Sequence, residues 1–169
     1  SVEAAVSAAE GEPGNVNITG VVEEEELPGA GGQKVRRKSM ARCSMENVCT
    51  ALKTVMNLDV ERYHIHVNFP GGTPIDGPSA GVTIATAVYS AICKKPVDNT
   101  LAMTGEVSVR GKVLPVGGTP AKIEAARQAG LKRVLIPKDN WQDTFSHIQG
   151  VEVVPVEELT EVIQLAVQG

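Results

Sequence analysis

From Ser79 to about Cys93, apolar residues fall on every side of a helical projection: Val82, Ile84, Ala85, Ala87, Val88, Ala91 and Ile92 leave no polar stripe. A helix that is apolar all round is a buried one, so the remaining chain has to cover it. At 169 residues there is enough chain for one domain with a real core. Only 3% of residues are aromatic against 42% hydrophobic, so that core is built from Val, Ile, Leu and Ala.

The flanking segments change type repeatedly. Asn15 to Val22 reads as a strand. Glu23 to Glu26 are four acids, Pro28 to Gly32 a flexible turn, and Lys34 to Lys38 a basic run. An acidic strand folding back on a basic one pairs opposite charges across a hairpin. That hairpin reads as a solvated edge or as a docking surface for a neighbouring subunit. Ser44 to Leu58 has helical spacing, with Ser44 as its N-cap. Residues 64–69 alternate strictly, with Ile65, Val67 and Phe69 on one face and His64 and His66 on the other. Leu101–Met103 is a short strand, and a hairpin spans Glu106 to Val116 across Arg110-Gly111. A helix from Pro120 to Ala129 ends at Gly130 as its C′ residue. Val134–Ile136 and Val151–Val154 are strands, and Pro155 opens the last helix. The order predicts an α/β chain, a mixed α+β sheet with packed helices. It forms one domain over 1–169, with residues 1–13 peripheral.

Charge and composition exclude several classes. A net charge of −4 and so few aromatics argue against nucleic acid as a partner. Three cysteines, Cys43, Cys49 and Cys93, without C-x-x-C spacing suggest a reducing compartment, hence the cytoplasm, and no disulfide framework. No apolar run approaches bilayer-spanning length and no charged-then-apolar leader opens the chain, so no membrane partner is expected. The start at Ser1 without Met suits a fragment of a longer polypeptide, and processing would look the same.

The chemistry concentrates at Asp76-Gly77-Pro78-Ser79-Ala80-Gly81, a loop-to-helix junction with a serine in the first helical turn. The first N–H groups of a helix have no internal partners and sit at the positive end of its dipole. A carbonyl oxygen approaching there meets donors aimed at the charge it develops on attack. Ser79 is therefore a nucleophile candidate, or merely the N-cap. His64 and His66 lie on the polar face of a strand, and His147 is far along the chain, so no histidine is well placed as a base. A serine hydrolase without histidine uses a neutral lysine. Lys122 is the best candidate, third in a helix with Thr119 as N-cap and Pro120 first. Desolvation and the positive helix terminus would both disfavour its charged form. The alternative is a solvated lysine. Thr104 reads as a residue orienting the amine, or as a strand-end threonine.

These residues match a known family. The run Pro70-Gly71-Gly72-Thr73-Pro74-Ile75-Asp76-Gly77-Pro78-Ser79-Ala80-Gly81 resembles the nucleophile signature of Lon proteases. Met103-Thr104-Gly105-Glu106-Val107 with Leu114-Pro115-Val116-Gly117-Gly118 looks like the segment before the family's lysine. Lys122, Ala125-Ala126, Gly130 and Val134 to Pro137 look like the lysine helix and its following strand. The amino-terminal third, with its glutamate run and Arg36 to Ala41, resembles the Lon-B-like branch of spore-forming bacteria.

The resemblance implies the Lon proteolytic fold and a serine endopeptidase acting on unfolded or regulatory proteins. Ser79 would form an acyl-enzyme, Lys122 would be the base and Thr104 would hold it. Asp76, Glu106, Gly77 and Pro78 would support the site. Phe69, Pro70, Gly71 and Gly72, from strand 64–69 and the loop after it, would flank the substrate cleft, where an extended peptide could add as a β-strand. Lon proteases also imply a hexamer and an ATPase module with ATP and Mg. No Gly-x-x-x-x-Gly-Lys-[Ser/Thr] phosphate loop exists in this chain, so the domain is expected to hold no cofactor. The competing reading is a non-catalytic Lon-like domain serving an ATPase as an assembly or binding platform.

Overall fold

A computed structural model describes residues 2–20, 26–28, 34–36, 40–72 and 77–168, with 26–28 and 34–36 described by their backbone. The chain runs β1 (Glu3–Ala8), β2 (Val16–Thr19), the short pair β3 (Glu26–Pro28) and β4 (Lys34–Arg36), α1 (Met40–Met56) and β5 (Tyr63–Asn68). Then follow α2 (Gly81–Cys93), β6 (Leu101–Met103), β7 (Glu106–Val107), β8 (Val113–Leu114) and α3 (Thr119–Gln128). β9 (Arg133–Pro137), β10 (Glu152–Val156) and α4 (Leu159–Ala166) complete it. The mixed α/β class expected from the sequence is the one observed.

The alternating strand is the centre of the first sheet, ordered β1-β5-β2. β1 runs antiparallel to β5 and β2 parallel to it. Ile65 and Val67 are buried, with Ala4, Val6, Val16 and Ile18 packed beside them from the flanking strands. The outer face is polar. Thr19 Oγ1 donates to Asn68 Oδ1 at 2.9 Å and lies 2.8 Å from His66 Nε2, while His64 Nδ1 accepts the Asn15 N–H at 3.0 Å. The histidines are strand-face residues, as their spacing indicated.

The second sheet, β10-β9-β6, is all parallel. Parallel sheets are covered on both faces, and β9 shows it. Leu135 enters the large core with α1, α2 and α4, whereas Val134 and Ile136 enter a smaller core with Ile123, Ala126 and Phe145. Helix α2 packs against α1, β1 and α4, and none of its residues is exposed. The expected hairpins are present, Glu26 opposite Arg36 and Glu106 opposite Leu114.

Four boundaries differ from the sequence reading. Residues 1–13, read as peripheral, carry β1. Helix α1 begins at Met40, so Ser44 is not its cap but a buried residue inside it; the apolar stripe of Met45, Val48 and Leu52 extends back to Ala41, and burial outweighs the capping signal. Pro155 opens no helix. It lies within β10 opposite Ile136, where an edge strand tolerates the missing N–H, and α4 starts at Leu159 behind a Glu158–Glu161 capping box. Helix α3 begins one residue early, with Gly118 at the cap position (φ 74°) and Thr119 already helical.

Candidate active site

Ser79 lies on a 3-10 turn, Gly77–Ala80, that runs straight into α2. The cap position of α2 falls to Ala80, one residue beyond Ser79. What holds the turn comes from elsewhere in the chain. The Gly105 N–H donates to the Ser79 carbonyl at 3.1 Å, and the Val82 N–H donates to the Gly105 carbonyl at 3.1 Å. Glycine is required at both positions, at Gly81 by the facing backbone and at Gly105 by its positive φ and the Val113 side chain. A Cβ on Gly81 would stand 2.8 Å from Val107 N, and one on Gly105 would stand 2.7 Å from Val113 Cγ1.

Thr104 precedes that clasp. It is 6% exposed, and its N–H donates to the Leu135 carbonyl at 3.0 Å, extending the β6–β9 ladder by one residue. The dipeptide Thr104-Gly105 thus ties the parallel sheet to the serine turn. Pro78, Ser79, Glu106, Pro115, Val116 and Gly117 surround a cleft of about 220 Å³. Ser79, Glu106 and Pro78, all read as site residues, line this cleft together.

Lys122 is placed differently. With Gly118 as the cap it is the fourth helical residue, its N–H donating to the Gly118 carbonyl at 3.1 Å, and its side chain is exposed. It lines a separate, larger cleft of about 530 Å³, shared with Thr83, Thr86 and Met103. Thr83 lies in the first turn of α2, four residues after Ser79, so this cleft borders the helix that the serine turn leads into. The burial expected around Lys122 is not supplied by the described residues. Asp98 lines the same cleft. Hydrogen bonds from Thr100 and then the Arg133 guanidinium hold its carboxyl below the ordinary range.

The substrate-flanking residues need correction. Phe69 is 3% exposed and belongs to the main core, so its side chain does not face a cleft. β5 is paired on both edges, so an added peptide strand would have to join elsewhere. Pro70, Gly71 and Gly72 form a 3-10 turn after it, and Gly71 is exposed. Asp76 lies outside the described residues.

Residues 4–169 match the family described as Lon protease (S16) C-terminal proteolytic domain. The chain belongs to this family. It is similar to Lon protease 2 of Bacillus subtilis, 50% identical over 162 residues, which is 96% of this chain and 29% of that protein. It is 46% identical over 133 residues to the Archaeal Lon protease of Archaeoglobus fulgidus, covering 76% and 21%. With that of Thermococcus kodakarensis the identity is 38% over 172 residues, covering 99% and 25%. The chain therefore spans less than a third of these relatives. The Bacillus match agrees with the Lon-B-like branch read from the amino-terminal third.

Two features of this Lon proteolytic domain were not anticipated. The Asn140 side chain grips Val116, its Oδ1 accepting the Val116 N–H and its Nδ2 donating to the Val116 carbonyl, both at 2.9 Å. Nothing in the sequence links these two positions. Thr119, read as a cap, is 3% exposed and its hydroxyl has no hydrogen-bond partner among the described residues. Among the described residues no group of three or more His, Cys, Asp and Glu could hold a metal ion. None of their helices is long and apolar enough to cross a membrane.

Proposed function

We propose that this chain is the peptidase half of an ATP-dependent Lon protease, cleaving unfolded or regulatory proteins in the cytoplasm through Ser79 and Lys122. The observation that carries the reading is the clasp at Gly105, which joins the Ser79 turn to the segment bearing Thr104. A serine used only for packing has no need of a neighbouring segment that fixes its backbone and lines a cleft with it.

In this mechanism the Ser79 Oγ bonds to the scissile carbonyl carbon while its proton passes to neutral Lys122. The ammonium returns that proton to the departing amine nitrogen as the C–N bond breaks, leaving an acyl ester on Ser79. A water then attacks the ester and gives a proton to Lys122. The carboxyl product departs, and the Ser79 oxygen takes the proton back from Lys122. The Thr104 hydroxyl orients the amine, and Glu106 and Asp76 tune the site. Substrate and a neighbouring subunit of a homohexamer would cover Lys122, since desolvation favours its neutral form. ATP and Mg would act in an ATPase module outside this chain, unfolding what the peptidase cuts.

Ser79→Ala and Lys122→Ala should each lower peptide cleavage by about a thousandfold or more while leaving the circular dichroism melt unchanged. Full cleavage by either variant would refute the dyad. Failure of both the parent and the variants to cleave in the intact protein would favour the non-catalytic platform.

A further inference from the structure

We propose that Asn140 is a positioning residue for the peptidase reaction, holding in one register the wall of the Ser79 cleft and the start of the Lys122 helix. The inference rests on the dyad reading above. Val116 and Gly117 line the cleft with Ser79, and Gly118 is the cap of α3, whose fourth residue is Lys122. Val116 therefore stands in the wall beside the serine and at the lead into the lysine's helix, whose body is held separately by Ile123 and Ala126 in the smaller core.

Among the described residues, the backbone of 115–117 makes no hydrogen bond to another backbone group. The two bonds to Asn140 hold it instead. They engage the N–H and the carbonyl of the same residue, as a neighbouring strand would. The amide orientation is settled by this pairing, because a flipped amide would set its NH2 against the Val116 N–H and its oxygen against the carbonyl. After Val116 come Gly117 and Gly118, around whose backbones a Cβ would meet nothing within 4 Å. Local packing would not restrain these two residues if the grip were released.

The anchor itself is firm. Asn140 ends a 3-10 turn, Lys138–Asn140, that follows the central strand β9 directly. The next residue, Trp141, donates its N–H to the Lys138 carbonyl at 3.0 Å. Its ring meets Phe145 edge-on at 5.9 Å, against the smaller core. The amide thus transmits the position of β9 to the cleft wall. A displacement of about 1 Å in a reacting group can cost on the order of a hundredfold in rate.

The test uses Asn140→Ala, Asn140→Asp and, as a control, Ser79→Ala in the intact protein. Peptide kcat and KM are measured per folded molecule, well below each variant's melting temperature. Asn140→Ala should lower kcat about 10- to 100-fold with KM within about twofold. At pH 8 the carboxylate of Asn140→Asp faces the Val116 carbonyl and cannot donate, so this variant should be equally slow. As pH falls towards about 4, close to the ordinary carboxyl value of about 3.9, the carboxyl gains a proton and the missing donor returns. The Asn140→Asp rate relative to parent should then rise, while the Asn140→Ala ratio stays flat. Both variants within twofold of parent, or a ratio that does not change with pH, would overturn the positioning role. If Asn140→Ala does not fold, the pH ratio of Asn140→Asp decides alone. Activity retained by Ser79→Ala would instead remove the dyad reading beneath it.

Discussion

The backbone carbonyl of Ser79 accepts the amide proton of Gly105 at 3.1 Å, and the Gly105 carbonyl in turn takes the Val82 N–H. The serine turn is therefore positioned by a segment that leads out of β6, rather than by its own helix alone. Because Thr104 bonds to β9 in the same segment, the serine turn is referenced to the all-parallel sheet.

Gly81→Ala tests how tight that clasp is. In an open helix the change would stabilise by about 1 kcal/mol. Here the new methyl meets Val107 N at 2.8 Å and the Gly105 carbonyl at 3.2 Å, both backbone atoms that cannot rotate away. A loss of about 1–3 kcal/mol is expected from the overpacking, read as a lower urea midpoint, together with reduced peptidase activity. A stabilised variant would show that the segments have room to part.

Thr104→Val keeps the shape of a side chain that is 6% exposed and removes only its hydroxyl. The melting temperature should stay close to parent, since the backbone bond to Leu135 is untouched. If the hydroxyl orients Lys122, kcat should fall about tenfold or more. An unchanged kcat would return Thr104 to a purely structural place.

Asp98 carries a pH dependence. Its folded carboxyl titrates below the ordinary value near 3.9, first because Thr100 donates from both its hydroxyl and its N–H, then through Arg133. A lowered folded value means stability present above the ordinary carboxylate range and lost as pH falls through the depressed value. Asn at this position removes that contribution. Urea unfolding of Asp98→Asn should show its largest deficit against parent near pH 7, shrinking as pH drops below about 3. A deficit independent of pH would assign the effect to packing.

Cys49 should be chemically quiet. Burial, with Glu46 nearby, pushes its thiol up to about 11. Since the thiolate is the reactive form, alkylation of Cys49 at pH 8 should be about a hundredfold slower in the folded protein than after unfolding. Peptide mapping of the labelled sites measures this, and equal rates would contradict its burial.

Where the sequence was legible, one local pattern was sufficient. The alternation at 64–69 set β5 and its buried face, and the all-apolar run after Ser79 set the enclosed helix α2. The linked motifs placed the chain in the Lon family. Where reading erred, a local signal met a distant contact. Ser44 looked like a cap until Ala41 found a place in the core, and Pro155 looked like a helix start until an edge strand accepted it. The Ala-rich residues of β1 carried little strand signal because their pairing with β5 lies far off in sequence.

The same division runs through the site. Sequence alone determined which side chains are available: a serine at a loop-to-helix junction, a lysine near a helix start and a threonine at a strand end. Those are matters of residue type and short spacing. Tertiary structure decided that Gly105 clasps the serine turn, that Asn140 grips Val116, that Phe69 is buried and that Lys122 stands exposed on a neighbouring cleft. Each of these depends on two segments meeting across the fold, and local propensity contains no record of which distant backbone will come within hydrogen-bonding reach.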